Sequence, residues 1–300
     1  MIELVMQSNG GVGLLHTLAR PAVYLDHLGY IMFAEDRASA DRFARALEVR
    51  GGALMISWVN VAEFAKARPE TAAAAEEFIE RLLPRLGFLA GNPFTVMQRE
   101  ADVRAHMDFA LLGVFANLAS RSTQPFTARG LLTVVPGQGL ERLTSWSQAF
   151  VDQAKKLRDE YATNEEFAQQ VESVVKQSGR ESATLVVLRE VTRTLMRNQS
   201  RIEPNDAQDF FHMIVPLVYC DYVLLDKHWE EQIKTVRRSL DRAKSSVQLA
   251  QAFSPKDDGI ERFLTALERP ESRSGIGERV ISRASCYTTR SGEESFGCDR

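Results

Sequence analysis

Five acids in this 300-residue chain have the types and spacing that could gather a hard cation. Asp26 ends a short β-prone run, Ala22-Val23-Tyr24-Leu25, and Asp226 ends another, Tyr222-Val223-Leu224-Leu225. Glu63 stands in a helical pattern that follows a third apolar run, Ala53–Ile56. Asp206 and Asp209 open a helical stretch three residues apart, on neighbouring positions of one face. An acid at the carboxyl end of a buried strand occupies the place where open α/β sheets keep their ligand crevice. Several carboxylates at one strand edge repel one another unless a cation neutralises them. Oxygen donors in that number suit Mg²⁺ or Mn²⁺ and not zinc. Such ions activate water and stabilise the charge of an in-line attack on a phosphodiester.

Each acid also has a plainer use. Asp206 could favour the positive end of a helix dipole, and Asp226 could cap a helix beginning at Lys227. Asn60-Val61-Ala62-Glu63 has capping-box spacing, so Glu63 could bond back to its own helix end.

The elements that must position these residues repeat one grammar. Near the N-terminus the strand run ending at Asp26 precedes a helix from about Asp36 to Arg50, stopped by Gly51-Gly52. The Ala53–Ile56 strand and a helix capped by Ser57 or Asn60 follow. Near the far end, Asn205 reads as an N-cap with Pro204 outside it. Phe210, Met213, Ile214 and Leu217 form an apolar stripe, and Pro216 is expected to end the helix. Strand and helix alternating in this way argue for a parallel sheet with right-handed crossovers.

VYLD at residues 23–26, SWVNVAEF at 57–64 and the helix–strand unit at 205–226 resemble the PIN-domain nucleases. The resemblance covers residues 22–67 and 203–269. It implies an α/β fold, a PIN-like parallel sheet sandwiched by helices, with a helical insertion. It also implies metal-dependent hydrolysis of RNA, with single-stranded DNA as a further candidate. Asp26 and Asp226 would be the main metal ligands, and Glu63 and Asp209 ligands or water-positioners. The third acid is Asp206 or Asp209. Asp209 fits better, because the 17 residues from it to Asp226 match the family's helix-plus-strand length. Two departures stand out: His27-Leu28-Gly29 follows the first acid where the family has a small hydroxyl or amide residue, and the helix start carries two acids. His212 reads as a packed histidine and Asp221 as structural.

Organisation along the chain follows. Residues 1–99 make the first half of the core, 100–202 a helical insertion, 203–269 the second half and 270–300 a disordered tail. Ile2–Met6 reads as a strand and Gly10–Gly13 as a turn. Thr71–Leu83 reads as an amphipathic helix ended by Pro84, and Gly87–Ala90 as a short strand. Helical patterns cover about 98–120, 139–160, 164–178 and 182–200, with a loop over Gln124–Gly137. Lys227–Lys244 is a helix, Ser246–Phe253 has β character and Asp257–Leu267 is helical. Arg189, Arg193, Arg197 and Arg201 recur every fourth residue, a stripe along one helix face. Steps of about 6 Å approach the spacing of successive phosphates on a single strand. The stripe is either a nucleic-acid track or a solvated face.

Composition sets bounds. Hydrophobic residues make up 44% and charged residues 26%, as in an ordinary globular protein. A net charge of −3 gives no global attraction to nucleic acid, so any such binding needs a local patch. Three cysteines form no paired framework and no metal-ligand spacing, which fits a reducing cytoplasm. No apolar run approaches the ~18 residues of a membrane span, and no signal sequence is expected. GxxxxGK[ST], HExxH, CxxC and GxSxG are all missing. Three readings remain: a nuclease, a catalytically inactive PIN-like binding or scaffolding module, and a helical interaction protein whose acids are only caps. A second copy of the chain or an inhibitory protein is the protein partner to expect.

Overall fold

The computed structural model describes residues 2–6, 12–16, 18–64, 68–101, 105–108, 127–133, 138–173, 182–197 and 204–269. Seven strands lie among them: β1 (Ile2–Met6), β2 (Val12–His16), β3 (Ala22–Leu25), β4 (Ala53–Ile56), β5 (Leu86–Phe88), β6 (Tyr222–Leu224) and β7 (Gln251–Phe253). The helices before the chain's midpoint are α1 (His27–Glu35), α2 (Arg37–Arg50), α3 (Trp58–Phe64), α4 (Pro69–Leu82), α5 (Pro93–Arg99) and α6 (Ala128–Thr133). α7 (Gln138–Thr163) spans the midpoint, and those after it are α8 (Glu165–Glu172), α9 (Ala183–Arg197), α10 (Pro204–Tyr219), α11 (Lys227–Arg242) and α12 (Gly259–Glu268).

The sheet at the centre is five-stranded and parallel throughout, in the order β5-β4-β3-β6-β7. Counted from β3, that order is 3-2-1-4-5. The chain steps outward from β3 to β4 and β5, then returns to lay β6 on the other side of β3. The direction of winding therefore reverses between β3 and β6. β1 and β2 form a separate antiparallel hairpin.

Alternation along the strands sends side chains to two cores. Val23, Leu25, Leu54, Ile56, Phe88 and Leu224 pack on one face beneath α1, α2, α4 and α12. Tyr24, Met55, Val223 and Leu225 pack on the other with α9, α10 and α11. A strand buried on both faces reads as a continuous apolar run, and AVYL is buried along its whole length. The segment assigned to the insertion contributes directly to the second face, through Val186, Val187 and Val191 of α9.

Local chemistry sets the element ends. Gly51 closes α2 in the left-handed region at φ 68, as its place after Arg50 suggests. Asp36 caps α2 through the amides of Ala38 and Ser39. Several expectations need correction. Pro204 lies inside α10 as its first residue, where its missing N–H is no loss. Pro216 does not end that helix, which continues to Tyr219. Burial of Val215 and Leu217 outweighs the bond the proline removes. A helix, α1, fills the stretch between Asp26 and Asp36 that carried no helical expectation. Within the expected loop at 124–137, residues 128–133 are helical. Val12 and Gly13 belong to a strand and not to a turn. The helical pattern expected over 98–120 is not continuous at its start: α5 ends at Arg99, and Met107 bridges Leu89. Of the β-like run 246–253 only Gln251–Phe253 is a strand. Residues 109–126, the end of the 164–178 pattern, Arg201 and the tail at 270–300 lie outside the described residues.

Candidate functional site

β3 and β6 end side by side. Leu25 is in register with Leu224, and the Asp26 amide donates to the Leu224 carbonyl at 2.9 Å. Asp26 follows β3 directly, and Asp226 follows β6 after Leu225, so both acids stand at the carboxyl edge where the winding reverses. Each is half-buried and opens a helix. One Asp26 oxygen, Oδ1, accepts from the Leu28 amide at 2.7 Å and from Gly29 at 3.2 Å. Asp226 Oδ1 accepts from the Trp229 amide at 2.8 Å. The capping reading of Asp226 therefore holds as a local fact, and Asp26 does the same for α1.

Asp209 reaches this edge from α10. The buried Trp229 indole donates to Asp209 Oδ2 at 3.4 Å, so a single residue contacts both Asp209 and Asp226. Asp206 instead lies within electrostatic range of Arg158, whose guanidinium donates to the Leu195 carbonyl. His212 falls on α10, and its side chain is outside the described residues.

Glu63 sits on α3, beyond the end of β4, and its charge helps raise the Tyr24 and Tyr30 hydroxyls after burial, the larger cause in both. Its capping-box reading is corrected by the residue six places earlier. Ser57 is the cap: Asn60 Oδ1 accepts from the Ser57 amide at 2.9 Å, and Ser57 Oγ accepts from the Asn60 amide at 3.5 Å. Asn60 also donates through Nδ2 to the Leu25 carbonyl at 3.2 Å, and Ser57 Oγ lies 3.3 Å from the Tyr24 hydroxyl. These buried groups tie the end of β4 to the residue before Asp26. Sequence spacing could have shown Ser57-x-x-Asn60 as a box. The contact with Leu25 had no local signal.

His27, next to Asp26, is half-buried with its ring 5.6 Å from Phe64, and burial holds its imidazole below the ordinary value. A lowered folded-state value means the unfolded chain binds more protons around the imidazole's unperturbed pKa. Stability should therefore decline as pH falls through about 6.5. His27→Phe should flatten that part of a pH–melting profile. An unaltered slope would assign it to other groups.

The arginine stripe divides. Arg193 is buried, pairs with Glu190 at 3.1 Å and donates to the Ser173 carbonyl. Arg197 is exposed and paired with Glu172, whose carboxyl the guanidinium lowers to about 2. Arg189 is half-buried. Asp221, at the opposite end of β6, accepts from the Ala22 amide at 2.7 Å and pairs with Arg20. It joins strands away from the acid edge.

Among the described residues, no three His, Cys, Asp or Glu side chains stand close enough together to cage an ion. No helix among them is long and apolar enough to cross a membrane. Compared with protein-family models, curated proteins and solved structures, the chain matches none.

Proposed function

We propose that the protein is a metal-dependent nuclease of PIN-like fold, acting on RNA, with its acidic site at the carboxyl ends of β3 and β6. One observation carries this reading: Asp26 and Asp226 end neighbouring parallel strands at the winding reversal of a 3-2-1-4-5 sheet. Ligands of open α/β sheets bind at that position.

The donors fit Mg²⁺ better than a closed protein cage would. Mg²⁺ keeps much of its water and takes one or two carboxylates, with substrate phosphate oxygens completing the shell. Two carboxylates on adjacent strand ends are such a set, with Asp209 reaching the same edge through Trp229. A bound Mg²⁺ or Mn²⁺ would supply an activated water and charge stabilisation. The chain's own work is to orient. Helix caps fix the rotamers of Asp26 and Asp226, and the Ser57–Asn60 box holds the strand end beneath Asp26.

The cap bonds also favour a second reading, a PIN-like binding module without activity, because each acid has a structural task already. Incubating purified protein with mixed RNA and single-stranded DNA, with Mn²⁺ and with chelator, separates the two. Chelator-sensitive cleavage supports the nuclease. Binding with no cleavage at any metal concentration supports the module.

Strand contact by the arginine face is best tested at Arg197, the exposed member among those described. Arg197→Gln should flatten the log–log salt dependence of RNA binding by roughly 0.7 if it touches a phosphate. Its partnership with Glu172 gives the competing outcome, an unchanged slope.

A further inference from the structure

Trp229 makes two polar contacts from one buried position. Its main-chain N–H completes the cap on Asp226, and its indole N–H donates to Asp209 Oδ2. The residue is 2% exposed, and its ring lies 6.5 Å from that of Phe210 within the core that α9, α10 and α11 share. A buried indole N–H needs an acceptor, and here that acceptor is a carboxylate. Packing fixes the indole. The indole in turn offers Asp209 Oδ2 a long hydrogen bond at 3.4 Å, and the same residue's amide caps Asp226.

From this geometry we infer that Trp229 is a positioning residue, setting Asp209 relative to Asp226 at the acid edge. The inference rests on the nuclease reading of that edge, and it adds a residue which neither acid spacing nor strand pattern indicates. Groups that orient a metal-binding carboxylate typically change affinity by about tenfold or more when removed. A purely packing tryptophan would change stability and leave affinity alone.

Mn²⁺ binding to the full chain, measured by calorimetry on four proteins, tests it without reference to cleavage. The four are the parent, Asp209→Ala, Trp229→Phe and the double variant. Trp229→Phe keeps the amide cap and most of the ring but loses the indole donor. It should bind Mn²⁺ about tenfold more weakly than the parent, and the double variant should be no weaker than Asp209→Ala alone. Parent-like affinity in Trp229→Phe, or losses that multiply in the double variant, would overturn the positioning role and leave the acidic site standing. A parent that binds no Mn²⁺ overturns both. If the metal-free melt shows that Trp229→Phe does not fold, benzothienylalanine placed at position 229 alone replaces it. That analogue keeps the ring's size, exchanges N–H for sulfur and faces the same two outcomes.

Discussion

Asp226→Asn is expected to lower metal-dependent cleavage by at least about a hundredfold, since a direct ligand should count for more than the groups that orient it. Stability should barely change. Asparagine caps a helix about as well as aspartate, so the bond from the Trp229 amide survives and the melting temperature should stay within about 2 °C. Asp226→Ala removes the cap as well and should cost about 1 kcal/mol. The pair separates charge from capping. If asparagine leaves cleavage intact and alanine only lowers the melting temperature, Asp226 is a helix cap and the placement of the site at the ends of β3 and β6 fails.

The other large effect lies at Gly259, the first residue of α12. A methyl group built there would overlap the main-chain carbonyl oxygen of Ser254, a rigid neighbour. Gly259→Ala should therefore cost about 3 kcal/mol or more, seen as a melting temperature lower by roughly 6–12 °C. Gly51→Ala is the control. Gly51 has φ 68 but open space around its Cβ position, so alanine there meets strain without a clash. Its cost should be about 1–2 kcal/mol. Comparable losses at the two sites would mean that the loop from β7 to α12 yields easily.

Much of the parallel sheet was legible because strands buried on both faces show as short apolar runs between helices of clear period. AVYL, ALMI and the Tyr222–Leu225 run stood out for that reason, and Gly51 marked the end of α2. The first helix was not legible. HLGYIMFAE is apolar nearly all round and contains a glycine, so it shows no stripe to contrast with a polar face. β7 is only three residues long, too short for alternation to register. At the site, the acids could be picked out by their places at element ends, and the 17-residue spacing to Asp226 favoured Asp209 over Asp206. The contact of Asp209 with Trp229, twenty residues beyond it, had no local signal. The arginine stripe shows the opposite limit. A period of four identifies a face, but Arg193 is buried by α9's own docking, which no local pattern reports.

The order of the sheet also bears on how the protein is made. β3 is central, yet the Asp221 carboxylate and the Ala22 amide it joins to β3's start are 199 residues apart in sequence. During synthesis the first half of the chain emerges with β3, β4 and β5 able to pair, while β3 keeps one ladder edge open until β6 is out. Pairing at that range is slow, because a long loop must close before any contact rewards it. A nascent chain therefore carries Asp26 without Asp209 or Asp226 beside it until those residues, some two hundred positions later, have been made. If the acid edge cuts RNA, it is assembled only once β6 and Asp226 have been made, and products that stop short of β6 are harmless to the transcripts around them.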